Sequence, residues 1–296
     1  MITDEEKFEG RIIKGIGGFY YIKSAGSSCL LEAKPIGLFR HQHITPTVGD
    51  YVTLEREGDQ YTMVAIQPRK NLFVRPPVAN VDLAVIVFAL KKPKPNTMLL
   101  DKLLVGCEAK GVRAVICFTK ADLAGDKDRR ILEVYSKTPY PVVTMAPDDD
   151  GALAELQGYM KDHTTFLAGP SGVGKSTLTN RLCRGKGMET GDLSEKLGRG
   201  KHTTRHVELL ALEEGGYLLD TPGFSSLQLE DGIEADFLES LFPEFTLGQC
   251  RFNSCTHRAE PDCAVKAQLE AGTIAPSRYD HYVELYDELK RKEAIW

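Results

Sequence analysis

The sequence predicts three parts in series: a small all-β barrel, an α/β domain doubly wound on a mostly parallel sheet, and a mostly helical C-terminal segment built around a metal site. Three observations carry this. Five short β-prone runs crowd into residues 8–66, each closed by turn residues. From residue 81, wholly apolar runs alternate with helix-length segments. Three cysteines and a histidine fall within the fourteen residues from Cys250 to Cys263. At 296 residues the chain has room for two or three domains.

The β-prone runs are FEGRIIKGI, GFYYIKS, SCLLEA, DYVTLE and QYTMVAI, separated by Gly17-Gly18, Ala25-Gly26-Ser27, the segment Pro46 to Asp50, and Gly58-Asp59. Five strands in about 60 residues suit an OB-type barrel. Strand number alone does not separate that from an SH3-like barrel. The two prolines after Arg75, Pro76 and Pro77, stiffen the chain and remove two backbone donors, marking the boundary. We therefore expect domains at 1–72, 73–230 and 231–296.

In the second part VDLAVIVFAL, VRAVICF, PVVTM and TTFLA read as strands buried on both faces. Thr97 to Lys110, Asp126 to Ser136 and Gly151 to Lys161 read as the helices between them. Beyond Gly223 the pattern is mostly helical. Pro276 to Lys292 carries Tyr279, Tyr282, Tyr286 and Leu289 at helical spacing, an aromatic stripe for packing on its own domain.

Composition excludes several function classes. Apolar residues at 42%, charged residues at 27% and a formal net charge of −5 describe a globular chain, neither a basic nucleic-acid coat nor an acidic disordered tail. The longest apolar stretch, Leu83 to Leu90, is far shorter than the roughly 20 residues a membrane span needs. Met1-Ile2-Thr3-Asp4 opens without a basic or apolar leader, so no membrane association and a cytoplasmic location are expected. Residues 231–296 hold 7 basic and 13 acidic side chains, a net of −6, so charge does not demand a polyanion.

The strongest motif is Gly169-Pro170-Ser171-Gly172-Val173-Gly174-Lys175-Ser176, followed by Thr177, which satisfies GxxxxGK[ST] between a strand and a helix. Its glycines let backbone N–H groups converge on phosphates, Lys175 supplies a cation at the β/γ-phosphates, and the Ser176 hydroxyl suits Mg²⁺. Asp220-Thr221-Pro222-Gly223 follows the strand-like Tyr217-Leu218-Leu219. The Asp220 carboxylate there can hold Mg²⁺, and the Gly223 amide can sense a γ-phosphate. Thr119-Lys120-Ala121-Asp122, directly after VRAVICF, resembles the NKxD element of GTPases, with Asp122 accepting from guanine and the Lys120 stem against the base. Thr119 replaces the usual Asn and leaves one tether open; Met145-Ala146 stands where such enzymes often carry Ser-Ala. Asp122 precedes Lys175 by 53 residues, the reverse of the usual order. One doubly wound domain accommodates that only if it is circularly permuted, and the permutation leads DTPG directly into the C-terminal segment.

Cys250, Cys255, His257 and Cys263 offer three thiolates and an imidazole, a set suited to one tetrahedral, structural Zn²⁺ with no open position. The other four cysteines, Cys29, Cys107, Cys117 and Cys183, read as core fillers.

Taken together, the permuted order, the barrel ahead of it and the cysteine cluster behind it resemble the circularly permuted, small-ribosomal-subunit-dependent GTPases of the RsgA type. The resemblance covers nearly the whole chain and is densest in RPPVANVD (75–82), GPSGVGKST (169–177), GRGKHTTRHVEL (198–209), DTPGF (220–224) and the Cys/His cluster. It implies hydrolysis of GTP to GDP and phosphate, late in maturation of the small ribosomal subunit, with binding of its rRNA; a monomer is expected. Thr204, with Thr203 second, matches the switch threonine that reaches Mg²⁺ and the γ-phosphate. Phe224 stands where many GTPases place a water-orienting Gln, so unaided hydrolysis should be slow. His202 or a group from the ribosome would supply what is missing. Lys175, Thr204 and His202 are thus the catalytic candidates, with GTP/GDP, Mg²⁺ and one structural Zn²⁺ as cofactors. Arg11, Lys14, Arg40 and His41 are the barrel's RNA-contact candidates, and Arg251, Arg258 and Lys266 those of the last segment. Two rivals stay open: a P-loop ATPase or kinase carrying a zinc module, and a nucleotide-sensing RNA-binding module without turnover.

Overall fold

A computed structural model describes residues 7–25, 27, 29–74, 76–183, 207–220 and 233–294. It divides into two compact units, one of Met1–Leu83, Met160–Phe166 and Thr177–Phe224, the other of Ala84–Tyr159, Leu167–Ser176 and Ser225–Trp296.

In the first unit the five expected runs become β1 (Lys7–Ile16), β2 (Phe19–Ser24), β3 (Leu31–Pro35), β4 (Tyr51–Glu57) and β5 (Gln60–Ile66), with a short helix α1 (Leu38–His41) between β3 and β4. The pairing order β1-β2-β3-β5-β4 closes on itself through β1–β4, and β3 runs parallel to β5. That connectivity decides for the OB-type barrel, which strand number left open. Alternation puts Ile12, Ile22, Ala33, Val52, Leu54 and Met63 inside. At Gly10 a Cβ would stand 2.5 Å from the Ile22 side chain and 2.9 Å from the Lys23 carbonyl, so only glycine lets β1 and β2 approach.

The diproline boundary is structured. β6 (Leu72–Val74) and β7 (Pro77–Ala79) form a small antiparallel hairpin, with Pro77 at a strand start, where its missing N–H costs no ladder bond. Asn80, in the left-handed region at φ 56°, accepts from the Lys70 amide and donates to Gly49 O, while Arg11 donates to Gly49 O and Asn80 O. Arg11 is thereby buried among the barrel's own carbonyls, with its guanidinium over the Tyr51 and Tyr217 rings. Its selection as an RNA contact is corrected: those donors already serve the barrel. Lys14 is engaged too, 3.1 Å from Glu208, whereas Arg40 and His41 are exposed.

The strands of the α/β part are β8 (Leu83–Ala89), β9 (Arg113–Thr119), β10 (Val142–Met145), β11 (Thr164–Ala168), β12 (Glu208–Ala211) and β13 (Tyr217–Asp220). Every residue of β8 is buried, as expected for a strand covered on both faces. β10 pairs parallel to β9, with Met145 opposite Thr119, and β11 pairs parallel to β13. β12 pairs antiparallel to β13 and was not foreseen. The helices α2 (Thr97–Ala109), α3 (Asp126–Tyr135), α4 (Asp150–Met160) and α5 (Lys175–Leu182) lie where the periodicity puts them. Asn96 caps α2 by accepting from the Leu99 amide.

The C-terminal segment carries a 3-10 turn over Ala235–Leu241, then α6 (Ala264–Glu270) and α7 (Pro276–Glu293). Leu238, Phe242, Phe245, Val265, Tyr282, Leu285 and Leu289 form its core together with Val105 of α2. Beside this core lies a buried charge network. Arg278 of α7 reaches Asp101 of α2 at 2.7 Å and Glu244 at 2.7 and 3.1 Å, while Asp101 also accepts from the Tyr135 hydroxyl and meets His281. Lys102 pairs with Glu288. Cys107 and Cys117 are buried, but Cys29 is exposed, which corrects its reading as a core filler. Among the described residues no helix is long and apolar enough to cross a membrane.

Candidate functional site

The loop from Gly169 to Gly174 joins β11 to α5. A Cβ on Gly169, at φ +137°, would lie 2.0 Å from the Val87 carbonyl of β8, so the loop leaves the sheet only if that residue is glycine. Gly172 and Gly174 also have positive φ, and the chain curls before α5 begins at Lys175. Lys175 Nζ donates to Gly169 O and Pro170 O, each at 2.7 Å. Burial lowers its pKa, and such a partly desolvated cation gains from an anion at the helix N-terminus. Ser176 and Thr177 are exposed on the first turn of α5.

Two hydrogen-bonding side chains tie the TKAD turn to this loop. Thr119, the last residue of β9, has its hydroxyl 2.5 Å from Val173 O and 3.3 Å from Phe88 O. Lys120, in the left-handed region at φ 57°, donates to Gly172 O at 2.8 Å and to Lys92 O. Ala121 accepts from Arg129, and Asp122 follows with its carboxylate exposed. The tether left open by replacing Asn with Thr is thus made by a threonine hydroxyl. Met145 is buried, which leaves only backbone of the Met145-Ala146 step to face a ligand.

Asp220 ends β13, opposite Glu208. Thr204, Thr203, His202, Gly223 and Phe224 lie outside the described residues.

At the metal cluster the ligand atoms of Cys250, Cys255, His257 and Cys263 all lie within 4.8 Å of one another. Measured separations are 3.9 Å for Cys250 Sγ–Cys263 Sγ, 3.5 Å for Cys250 Sγ–His257 Nδ1 and 3.3 Å for Cys263 Sγ–His257 Nδ1. Bonds of about 2.3 Å to sulfur and 2.0 Å to nitrogen space the corners of a tetrahedron roughly 3.5–3.8 Å apart, so the set is compatible with zinc. Burial, and after it the neighbouring thiols, push the Cys255 thiol up to about 12. Held as thiolates, three such groups would need a cation among them. Glu260 holds the intervening turn, accepting from the Thr256 hydroxyl and from the Thr256 and Arg258 amides. Burial by itself would raise its pKa, but these bonds prevail and bring it to about 2. Sequence reasoning missed both Glu260 and Glu239, whose carboxylate lies 2.6 Å from His257 Nε2. Glu260 sits three residues from a ligand and could have been noticed; Glu239 lies eighteen residues away with no motif to mark it. The basic residues of this segment have acceptors within the chain: Arg251 with Asp262, Arg258 with Asp287 and Lys266 with Glu260 O.

A family profile described as RsgA GTPase matches residues 66–230, and one described as RsgA N-terminal domain matches residues 9–64. The chain belongs to the RsgA GTPase family. A protein of Caldanaerobacter subterraneus subsp. tengcongensis named small ribosomal subunit biogenesis GTPase RsgA is 46% identical over 293 residues, covering 97% of this chain and 98% of its own. The protein of the same name from Bacillus subtilis strain 168 is 43% identical, covering 96% of this chain and 98% of its own. The crystal structure of YjeQ from Thermotoga maritima superposes with a TM-score of 0.84 at 34% identity, covering 96% of this chain and 99% of that one. The structure of YloQ, described as a circularly permuted GTPase, superposes with a TM-score of 0.82 at 39% identity, covering 99% and 98%. The chain is accordingly a GTPase, and its central part is a circularly permuted P-loop GTPase domain that in sequence follows a barrel and precedes a helical segment able to bind metal.

Proposed function

We propose that this RsgA-family chain hydrolyses GTP to GDP and phosphate while bound to the small ribosomal subunit late in its maturation, in the cytoplasm and as a monomer. The barrel of residues 1–72 and the segment 231–296, which flank the GTPase domain of 73–230 in the chain, bind the subunit's rRNA. In the nucleotide site Asp122 accepts from guanine, the Lys120 stem lies against the base with Thr119 and Ala121 completing the turn, and amides from Gly169 to Thr177 cradle the phosphates. Lys175 neutralises charge developing on the transferred phosphoryl group. Ser176, Asp220 and Thr204 hold Mg²⁺, Gly223 senses the γ-phosphate, and His202 or a ribosomal group orients water. Cys250, Cys255, His257 and Cys263 hold one structural zinc, which fastens a segment whose own apolar core is small.

The observation that carries this reading is the pair of side-chain links from Thr119 and Lys120 to Val173 O and Gly172 O. They set the residue that would read the base beside the loop that would hold the phosphates, despite the reversed order in the chain. The test is multiple-turnover GTP hydrolysis with and without purified small subunits. Stimulation by the subunits is expected, and an unchanged rate at saturation would contradict the reading. Asp122→Asn should move preference from GTP to XTP by at least tenfold in kcat/KM, because the amide donates where the carboxylate accepts. An ATPase or kinase would show no such exchange.

A further inference from the structure

The metal cluster has a feature that its four ligands do not explain. His257 points Nδ1 at the sulfurs, 3.5 Å from Cys250 Sγ and 3.3 Å from Cys263 Sγ. Nε2 therefore faces away from the cluster. It is buried and makes no well-aligned hydrogen bond, yet Glu239 Oε2 stands only 2.6 Å off, close enough to take its proton after a small rotation of the carboxylate. The ring is 2% exposed and packed between aromatic neighbours. Tyr282 and Phe245 flank it with ring centroids at 6.2 and 6.3 Å, and the residue's own carbonyl accepts from the Tyr279 hydroxyl. The backbone of Glu239 is anchored while its side chain is 33% exposed: it lies in the 3-10 turn Ala235–Leu241, whose Ala235 and Leu238 are buried in the core and whose Glu239 carbonyl accepts from the Phe242 amide.

We infer that Glu239 is a positioning residue of the metal centre: its carboxylate accepts the Nε2 proton of His257, fixing the tautomer in which Nδ1 is the ligand and making that nitrogen a stronger donor. This rests on the reading of the cluster as a zinc site. A neutral imidazole carries one proton, and a carboxylate beside Nε2 keeps it there, leaving the Nδ1 lone pair free for the ion. Carboxylate–histidine–metal relays of this kind alter affinity by about 10- to 100-fold when the outer partner is removed. The relay further binds the 3-10 turn to the metal, so that a residue eighteen positions ahead of His257 in the chain belongs to the site.

The experiment uses the full-length protein and its Glu239→Ala and Glu239→Gln variants. Zinc content is measured first, and zinc affinity is then read by competition with a chromophoric chelator. Glu239→Ala should lose about 10- to 100-fold in affinity, with the cobalt(II)-substituted protein still showing a three-sulfur, one-nitrogen spectrum. Glu239→Gln keeps an acceptor for Nε2–H and should lose less than Glu239→Ala. In ¹⁵N spectra of the zinc-loaded wild type, Nδ1 of His257 should carry the metal-bound shift and Nε2 the protonated one. Unchanged affinity in Glu239→Ala overturns the inference while leaving the zinc reading intact, as does a spectrum with Nε2 metallated. A wild type that takes up no zinc overturns both. Should Glu239→Ala fail to fold, the wild-type nitrogen assignment and the Glu239→Gln affinity still decide.

Discussion

Removing the Thr119 hydroxyl should uncouple the turn proposed to read the base from the loop proposed to cradle phosphate. Thr119→Val is nearly isosteric, so the packing of this almost fully buried residue changes little, but the donor 2.5 Å from Val173 O disappears. Val173 is 1% exposed, so water cannot readily take the donor's place. A buried carbonyl left without its donor costs about 1–3 kcal/mol. The isolated loop can escape that cost by shifting away from β9. The nucleotide-bound arrangement cannot, because base and phosphates must be held at a set separation. The cost therefore falls on binding, and at 1.4 kcal/mol per tenfold it amounts to roughly a 5- to 140-fold rise in Kd. Titration with a fluorescent GDP analogue measures it. Thr119→Ser, which keeps the hydroxyl, should stay within about threefold of wild type. A Thr119→Val protein that binds within twofold of wild type would show that the hydroxyl plays no part in assembling the site.

Further expectations concern the C-terminal segment. Arg278→Ala strands Asp101 and Glu244, whose side chains are 0% and 4% exposed, with only His281 and Tyr135 left to Asp101. Breaking a buried network from one side costs about 3–5 kcal/mol, to be read as a loss of stability in urea unfolding; a loss below 1 kcal/mol would mean that water replaces the arginine. Glu260 sets a pH dependence whose sign follows from its lowered pKa, about 2 against 4.5. Its contribution is complete above about pH 4.5 and drains away as the pH falls towards 2. The stability gap between wild type and Glu260→Gln should close over that window, and a gap constant from pH 6 to pH 2.5 would refute the assignment.

Much of the architecture was legible because it is local. The alternation in GFYYIKS and QYTMVAI and the wholly apolar LAVIVFA (83–89, the whole of β8) specify strands through contacts each strand makes on its own faces, and strands form there. The glycines of the P-loop were equally readable, since a positive φ is a property of one residue. The β6–β7 hairpin was not, because its two prolines signal a stiff linker until a partner strand is present. Nor was β12: Glu208–Ala211 is four residues long and becomes a strand through pairing with β13.

Side-chain roles divide along the same line. Residue types and spacing were enough to single out the 169–177 loop, the TKAD turn and the Cys₃His set as candidates, since each chemistry needs particular atoms at short chain separations. Arg11 read as a surface cation and proves to be an internal donor, because what decides is the pair of carbonyls at Gly49 and Asn80 folded over it. Asp101 and Arg278 are 177 residues apart, and Glu239 and His257 meet across a turn. Nothing in a one-dimensional pattern records which charges are buried together. Burial turns an ordinary acidic or basic side chain into an obligatory partner, and burial is a property of the assembled chain.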